Sequence, residues 1–255
     1  MKKIENIYAY CDRWCERCGF GARCQAYAAR KEVRHPENLE ADDEKNRIFW
    51  ERLENQATEV QNKIKLKAAE KNIDLTEFVG VSTKAKFDLF QHKSVNNMVL
   101  KAGRLFEDKV DDFLDDMAGE GRIVMDESQP GSVFKIIADD LSETSKEEAN
   151  TMLDIIMRYQ LNLYLKLSRA YYSRGREEEN GLSVDEGSRE SDGTAKASLA
   201  LISRSLVAWY HLLHFFPDQT TAINEIIYLL MRIKYHLEKE FPHASTFIRP
   251  GFDEP

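Results

Sequence analysis

All four cysteines of the 255-residue chain lie between positions 11 and 24. Their spacing is C-x3-C-x2-C-x5-C, and the sulfur donors are Cys11, Cys15, Cys18 and Cys24. Four sulfurs this close in sequence are the ligand set of one tetrahedral centre, and the centres that bind four cysteines are zinc and iron–sulfur clusters. The spacing therefore predicts one metal site with these four residues as its ligands.

The compactness of the motif favours one of these two centres. Structural zinc sites usually take their ligands from two short pairs separated by about a dozen residues. The intervals here are three, two and five residues, and such a single loop is more typical of cubane clusters. Nearby aromatic residues would shield a cluster from water: Tyr8, Tyr10, Trp14, Phe20 and Tyr27. We therefore expect a [4Fe–4S] cluster, with Zn²⁺ as the alternative and free or disulfide-forming thiols as a third interpretation.

The same spacing predicts the local backbone. On a single α-helix over residues 4–18, Cys11 and Cys15 would be about 6 Å apart along the axis. Cys11 and Cys18 would be about 10.5 Å apart, which is too far for one centre. We therefore predict a helix that ends near Cys15–Cys18, followed by a glycine-rich turn that returns Cys24 to the site.

Two parts of the motif resemble known iron–sulfur families. Cys11, Cys15 and Cys18 resemble the C-x3-C-x2-C triplet of radical S-adenosylmethionine enzymes, which use a βα-barrel and leave one iron open for the cofactor. The segment from Cys15 to Cys24 resembles the C-terminal cluster loop of endonuclease III-type DNA glycosylases. The chain shows neither a run of βα units nor a helix-hairpin-helix element, and neither resemblance covers more than about fourteen residues. Both therefore imply a cluster rather than either enzyme activity.

Charge is unevenly distributed along the chain. The net charge is −8, yet residues 1–35 contain eight basic and four acidic side chains. Four thiolates around a metal leave a net negative site, which nearby arginines would offset. The acidic remainder argues against nonspecific binding of nucleic acid by the whole protein.

The rest of the chain has the composition and periodicity of a helical protein. Only six prolines and twelve glycines interrupt it, and 31% of its residues are charged, as in amphipathic helices with wide solvated faces. Apolar residues recur at helical spacing and predict four principal helices in a four-helix bundle or a close variant. The predicted fold class is all-α, a four-helix-bundle-like body with an N-terminal four-cysteine metal or cluster module.

Changes in composition divide the chain. Residues 1–35 form the cysteine module, a polar linker follows at 36–47, and the helical body occupies 48–241. Within the body, the Gly-, Glu- and Ser-rich stretch 174–193 is predicted to be a mobile loop. The final residues, 242–255, are predicted to form an extended tail that packs back through its aromatic side chains.

Several element boundaries are predicted from apolar stripes and from capping residues. The second helix is expected at about 84–117, and a short helix is expected at 132–141. Ser145 to Glu148 match a capping box that opens the next long helix. A helical hairpin is expected to turn at Pro217.

Acidic residues on the second helix raise the alternative of a metal-dependent hydrolase. They are Glu107, Asp108, Asp111, Asp112, Asp115 and Asp116, with Glu51 and Glu54 on the first helix. Such paired acidic helices resemble those of all-α nucleotide pyrophosphatases. On a helical wheel most of these carboxylates face solvent, which favours a solvated face over a magnesium site. His211 and His214, one turn apart, are expected to be packing or surface residues.

The expected location follows from two kinds of segment that the sequence lacks, a membrane span and a signal peptide. No apolar run reaches about 18 residues, and the first residues lack the apolar core of a signal peptide. We therefore expect no membrane span and a cytoplasmic location, where clustered cysteines are more often metal ligands than disulfides.

Outside the cysteines no catalytic motif is present, so we favour a binding protein over an enzyme. A protein partner or a homo-oligomer is expected, and no nucleic acid.

Overall fold

A computed structural model describes residues 3–27, 43–78, 97–126, 133–179 and 189–253. These residues are mostly helical, as the sequence predicts. The elements in chain order are α1 (Asp43–Glu70), α2 (Met98–Gly119), β1 (Ile123–Asp126), β2 (Val133–Ile136), α3 (Glu143–Glu179), α4 (Glu190–Phe215) and α5 (Thr220–Glu240). A short 3₁₀ turn, Pro217–Gln219, separates α4 from α5 at the predicted position. The all-α prediction is therefore correct for the helices but omits a two-stranded sheet.

Helix α4 packs against α1, α3 and α5, most extensively against α3. Helix α2 packs against α3 and α5. The apolar stripe predicted for α2 is buried from Val99 through Phe106 to Met117. Trp209 of α4 is fully buried, and its ring lies 5.1 Å from that of Phe113 on α2. Among the described helices, none has the length and apolar character that crossing a membrane requires.

The start of α2 is fixed by a capping residue. The Asn97 side chain accepts hydrogen bonds from the N–H groups of Val99 (2.8 Å) and Leu100 (3.2 Å). These bonds satisfy backbone donors that have no partner within the helix, so α2 begins at Met98. Residues 84–96 of the predicted helix lie outside the described residues.

The start of α3 lies one turn before the predicted capping box. The helix begins at Glu143, and Ser142 Oγ accepts a hydrogen bond from the N–H of Ser145 at 3.2 Å. Ser142 therefore has the role that the sequence assigned to Ser145. The prediction was wrong because both serines satisfy the residue preference for a helix cap.

A strand replaces the short helix predicted at 132–141. β2 pairs antiparallel with β1, with Ile123 opposite Ile136 and Asp126 opposite Val133. Val, Ile and Phe favour an extended backbone when a neighbouring strand can pair with them. Ile123 and Ile136 are buried, so the hairpin contributes to the core.

Helices α3 and α4 both extend into the stretch 174–193, which was predicted to be a mobile loop. α3 continues to Glu179 and α4 begins at Glu190. The Glu177 carboxylate accepts hydrogen bonds from the N–H (3.0 Å) and the hydroxyl (2.6 Å) of Ser191, so the two ends are connected. Arginine and glutamate are good helix formers, so a charged composition alone does not end a helix. Most residues between the two ends lie outside the described residues.

The predicted linker 36–47 belongs in part to α1. Residues 43–47 form the first turn of that helix, and residues 36–42 lie outside the described residues. Composition did not separate the two because acidic residues are favourable in the first turn of a helix.

Gly193, in the first turn of α4, allows close contact between the body and both terminal segments. A Cβ at this position would lie 2.5 Å from Tyr10 Cε1 and 2.6 Å from Phe247 Cε1. The two rings pack on each other with centroids 5.0 Å apart, so each restricts the other. We predict that Gly193→Ala lowers the free energy of unfolding by about 2 kcal/mol, although alanine is the better helix former.

Gly175 in α3 provides the matched control, because nothing lies within 4 Å of its Cβ position. Gly175→Ala is expected to raise the free energy of unfolding by up to about 1 kcal/mol. Urea denaturation of both variants measures the difference. Equal stabilisation by the two substitutions would contradict the close packing at Gly193.

Candidate metal centre

The cysteines lie in or beside short turns rather than on the predicted helix. The turns are Ile7–Ala9, Cys15–Arg17 and Gly21–Arg23, all of the 3₁₀ type. Arg13 has a φ of 59°, a left-handed conformation that interrupts a helix between the first two cysteines. The prediction of a helix that ends near Cys15–Cys18 is therefore wrong. A turn does precede Cys24, whose N–H bonds to the carbonyl of Gly21 at 3.1 Å.

All four cysteines line one pocket, which is partly open to solvent. Trp14, Tyr27 and Phe252 contribute to its wall, and Tyr8 and Arg13 are its exposed members. Within the described residues, no group of three or more Cys, His, Asp or Glu side chains has the geometry of a metal site. The sulfurs therefore share a pocket without converging on one point.

Cys24 has a different environment from the other three thiols. It is 8% exposed and belongs to a small apolar cluster with Ile4 and Ile7. Cys11, Cys15 and Cys18 are half-buried. The pocket is therefore apolar beside Cys24 and more accessible beside the other cysteines.

The thiols of Cys11 and Cys18 are protonated at neutral pH. Burial raises the pKa of the Cys18 thiol to about 12, although the Phe20 N–H donates to its sulfur at 3.4 Å and opposes the shift. Burial also raises the pKa of Cys11, and the positive charge of Lys166 opposes it. A metal bound by these sulfurs would have to displace the protons, so its affinity would rise with pH.

Lys166 on α3 brings a buried amine close to Cys11. The residue is 5% exposed, and its Nζ donates to the carbonyl of Ala9 at 2.8 Å. Burial lowers the pKa of the Lys166 ammonium to about 8, while the interaction with Cys11 acts in the opposite direction. A negatively charged metal–thiolate centre would stabilise the charged form of Lys166.

Asp12, inside the cysteine motif, connects the turns to the helical body. One carboxylate oxygen accepts a hydrogen bond from the Trp14 N–H at 3.0 Å. The other accepts from the Tyr159 hydroxyl and from Arg204 Nη1, both at 2.8 Å. Burial, followed by the charge of Asp12, raises the pKa of Tyr159 well above its usual value, so its hydroxyl remains a donor.

Arg204 on α4 is the centre of this polar network. Its Nη2 lies 2.6 Å from Glu54 Oε1, and its guanidinium lies 4.2 Å from the centre of the Trp50 ring. The residue is only 9% exposed, and a charge buried to this extent needs charged partners. Its position between Ile202 and Leu206 was a usable sequence signal, because a lone charge in an apolar stretch is rarely buried without a partner.

Side chains of the body also bind the backbone of the cysteine turns. Three carbonyls accept such bonds: Arg17 O from Trp50 Nε1, Arg13 O from Arg158, and Ala9 O from Lys166. The donors belong to α1 and α3. Two helices therefore fix the path of the segment that carries the cysteines.

The acidic residues considered for a hydrolase take part in ion pairs or face solvent. The pairs are Glu107 with Arg104, Glu51 with Arg47 and Glu54 with Arg204, each at 2.6 Å. Glu107 is buried and the five aspartates are exposed, in agreement with the prediction that most of these carboxylates face solvent. In the described parts of the chain these carboxylates form no metal-binding group.

The histidine pair of α4 has the packing and surface role that was predicted. The ring centroids of His211 and His214 are 6.4 Å apart. Burial lowers the pKa of His211, and the nearby positive charges of His214 and Arg52 add to the shift. His211 is half-buried and His214 is exposed.

Comparison with known proteins adds no family to this description. No protein-family model matches the chain. No curated protein and no solved structure is significantly similar to it. The function must therefore be argued from the residues of the site.

Proposed function

We propose that Cys11, Cys15, Cys18 and Cys24 bind one [4Fe–4S] cluster in a module attached to a four-helix-bundle-like body. The observation that carries the proposal is the common pocket, which all four side chains line. Four thiolates are the usual ligand complement of a cubane cluster. The chain contains no other cysteine, so this set uses every thiol of the protein.

Hydrogen bonding and charge near the sulfurs support the proposal. The Phe20 N–H points at Cys18 Sγ, and hydrogen bonds to cluster sulfurs tune the reduction potential. The buried amine of Lys166 lies near Cys11 and would offset part of the negative charge of a thiolate-bound centre. Both features suit a buried anionic group better than four neutral thiols.

The wall of the pocket supports a redox or structural role. Trp14, Tyr27 and Phe252 limit access of water, and solvent exposure is one determinant of cluster potential. When bound, the cluster would supply one-electron chemistry. Ligation by four sulfurs leaves no position open for substrate, so structural, redox-sensing or electron-transfer roles are favoured over catalysis. A reducing cytosolic location, in which the thiols stay available for ligation, is part of the proposal.

Loading of the centre must rearrange the cysteine turns. The sulfurs share a pocket but do not stand in metal-binding geometry. Metal binding and local folding are coupled in small cysteine sites, so the centre itself can draw its ligands inward. The anchors on Ala9, Arg13 and Arg17 would keep the turns in place while this happens.

The metal content of the protein is the first prediction to test. After purification without oxygen, we expect about four iron and four sulfide ions per chain and a brown absorbance that bleaches on reduction. Elemental analysis, sulfide determination and the visible spectrum measure this result. The matched sample is the same protein alkylated at its thiols before reconstitution, which is expected to bind neither ion.

Zinc is the outcome that would overturn the cluster proposal. A colourless protein with one zinc per chain would indicate a zinc-stapled module, since zinc also takes four cysteines. Its function would then be to present the helical body to a protein partner or to a second copy. A protein that binds neither metal after anaerobic reconstitution would remove both proposals.

A further inference from the structure

The C-terminal segment, residues 243–253, packs on the cysteine module beside Cys24. Phe252 lines the pocket, and its ring centroid lies 5.0 Å from that of Phe20. Phe252 also packs on the apolar cluster that buries Cys24. The two ends of the described chain therefore meet at the cysteine pocket.

Gly251 allows the segment to approach the module at backbone distance. Its φ is +79°, and a Cβ at this position would lie 2.8 Å from Ile4 Cδ1 and 3.1 Å from Ile7 Cδ1. A larger residue would be strained in this conformation and would crowd the ends of both side chains. The contact between segment and module is therefore closely fitted.

Asp253 fixes the end of the segment to α4. Its carboxylate accepts hydrogen bonds from the N–H and the Nη2 of Arg249, each at 2.8 Å, and it pairs with Lys196 Nζ at 2.9 Å. Lys196 also donates to the carbonyl of Phe247 at 2.6 Å. Although burial opposes ionisation, these hydrogen bonds lower the pKa of Asp253 to about 2, so the carboxylate is charged at neutral pH.

We propose that residues 247–253 form a latch that closes the cysteine pocket beside Cys24. Asp253 holds the latch on α4 through its ion pair with Lys196, and Phe252 covers the pocket. Both act as positioning residues, because they hold the wall around a thiol without donating to it. That the latch controls access to a bound metal rests on the function proposed above. That the latch closes over Cys24 does not depend on any bound metal.

Site-resolved thiol labelling tests the latch in the metal-free protein. A pulse of iodoacetamide followed by peptide mass mapping gives a rate for each cysteine, and the Cys24 rate of each variant is compared with the Cys24 rate of the wild-type protein. Asp253→Asn and Phe252→Ala are each expected to raise the Cys24 rate about tenfold, because local opening then requires fewer contacts to break. The rate at Cys11 should stay unchanged in both variants.

Glu238→Gln is the matched control for loss of a carboxylate. Glu238 pairs with Lys234 on the exposed surface of α5, away from the latch, and its replacement should leave every labelling rate unchanged. An unchanged Cys24 rate in both latch variants would overturn the proposal. An equal rise at all four cysteines would also overturn it, because it would indicate general loosening of the module.

A second measurement separates the latch from the metal proposal. In the loaded protein, Asp253→Asn should speed release of the metal to a chelator about tenfold while the metal content per chain is unchanged. Equal release rates in the variant and the wild-type protein would exclude control of access. A protein that never binds metal would refute the function proposed above, and the labelling rates would still decide the latch.

Discussion

Asp12→Ala is expected to lower the free energy of unfolding by about 3 kcal/mol. The substitution leaves Arg204 buried with one of its two carboxylate partners, and it removes the acceptor of the Tyr159 hydroxyl. Removing one member of a buried ion pair costs more than the pair contributes, because the remaining charge stays desolvated. Urea unfolding of the metal-free protein measures the loss without reference to any bound centre.

Glu54→Gln is the matched control for Asp12→Ala. Glu54 binds the same guanidinium, but its side chain is 55% exposed, whereas that of Asp12 is 14% exposed. Exposed pairs contribute about 0–1 kcal/mol, so the control should lose much less stability. Equal losses in the two variants would show that Asp12 is not the buried anchor of the network.

Asp12→Ala should also weaken metal binding. Asp12 orders the backbone between Cys11 and Cys15, since it accepts the Trp14 N–H and is itself held by two side chains of the body. Loss of a group that orients metal ligands typically costs about 10–100-fold in affinity. If a metal titration gave Asp12→Ala the same affinity as the wild-type protein, the polar network around Asp12 would not contribute to metal binding.

The sequence contained enough information for the helices and for the choice of candidate ligands, which the structure places around one pocket. Apolar residues at helical spacing, such as Val99, Phe106 and Val110, are buried because the period of the pattern matches the helix that forms. The four cysteines could be selected because no other thiol competes with them. Both inferences depend on local patterns, which a single sequence displays directly.

The parts that the sequence did not reveal depend on distant partners. Asp12 binds Tyr159 and Arg204 across 147 and 192 positions, and no local pattern identifies such a pair. The strand at Val133–Ile136 depends on pairing with β1 in the same way. Phe252 lines the cysteine pocket although it lies at the opposite end of the chain from the cysteines. Tertiary contacts determined these features, and local preference did not.

Cys24→Ser is expected to abolish stable binding of the cluster. With the proposed ligation the variant loses one of four sulfur ligands, because a serine hydroxyl does not provide a thiolate at neutral pH. We therefore expect the loss to exceed the roughly 10–100-fold cost of removing an outer-shell partner. Iron and sulfide analysis of the reconstituted variant measures the effect, and the metal-free variant should retain the helical content of the wild-type protein.

Tyr8→Phe and Cys18→Ser are the two controls for Cys24→Ser. Tyr8 lines the same pocket without contributing a sulfur, so its variant should bind the cluster normally. Cys18→Ser should fail to bind the cluster, as Cys24→Ser does. A cluster retained in Cys24→Ser but lost in Cys18→Ser would contradict ligation by four cysteines. It would leave Cys11, Cys15 and Cys18 as a three-cysteine site with one open iron, and an open coordination position is what catalysis at a metal centre requires.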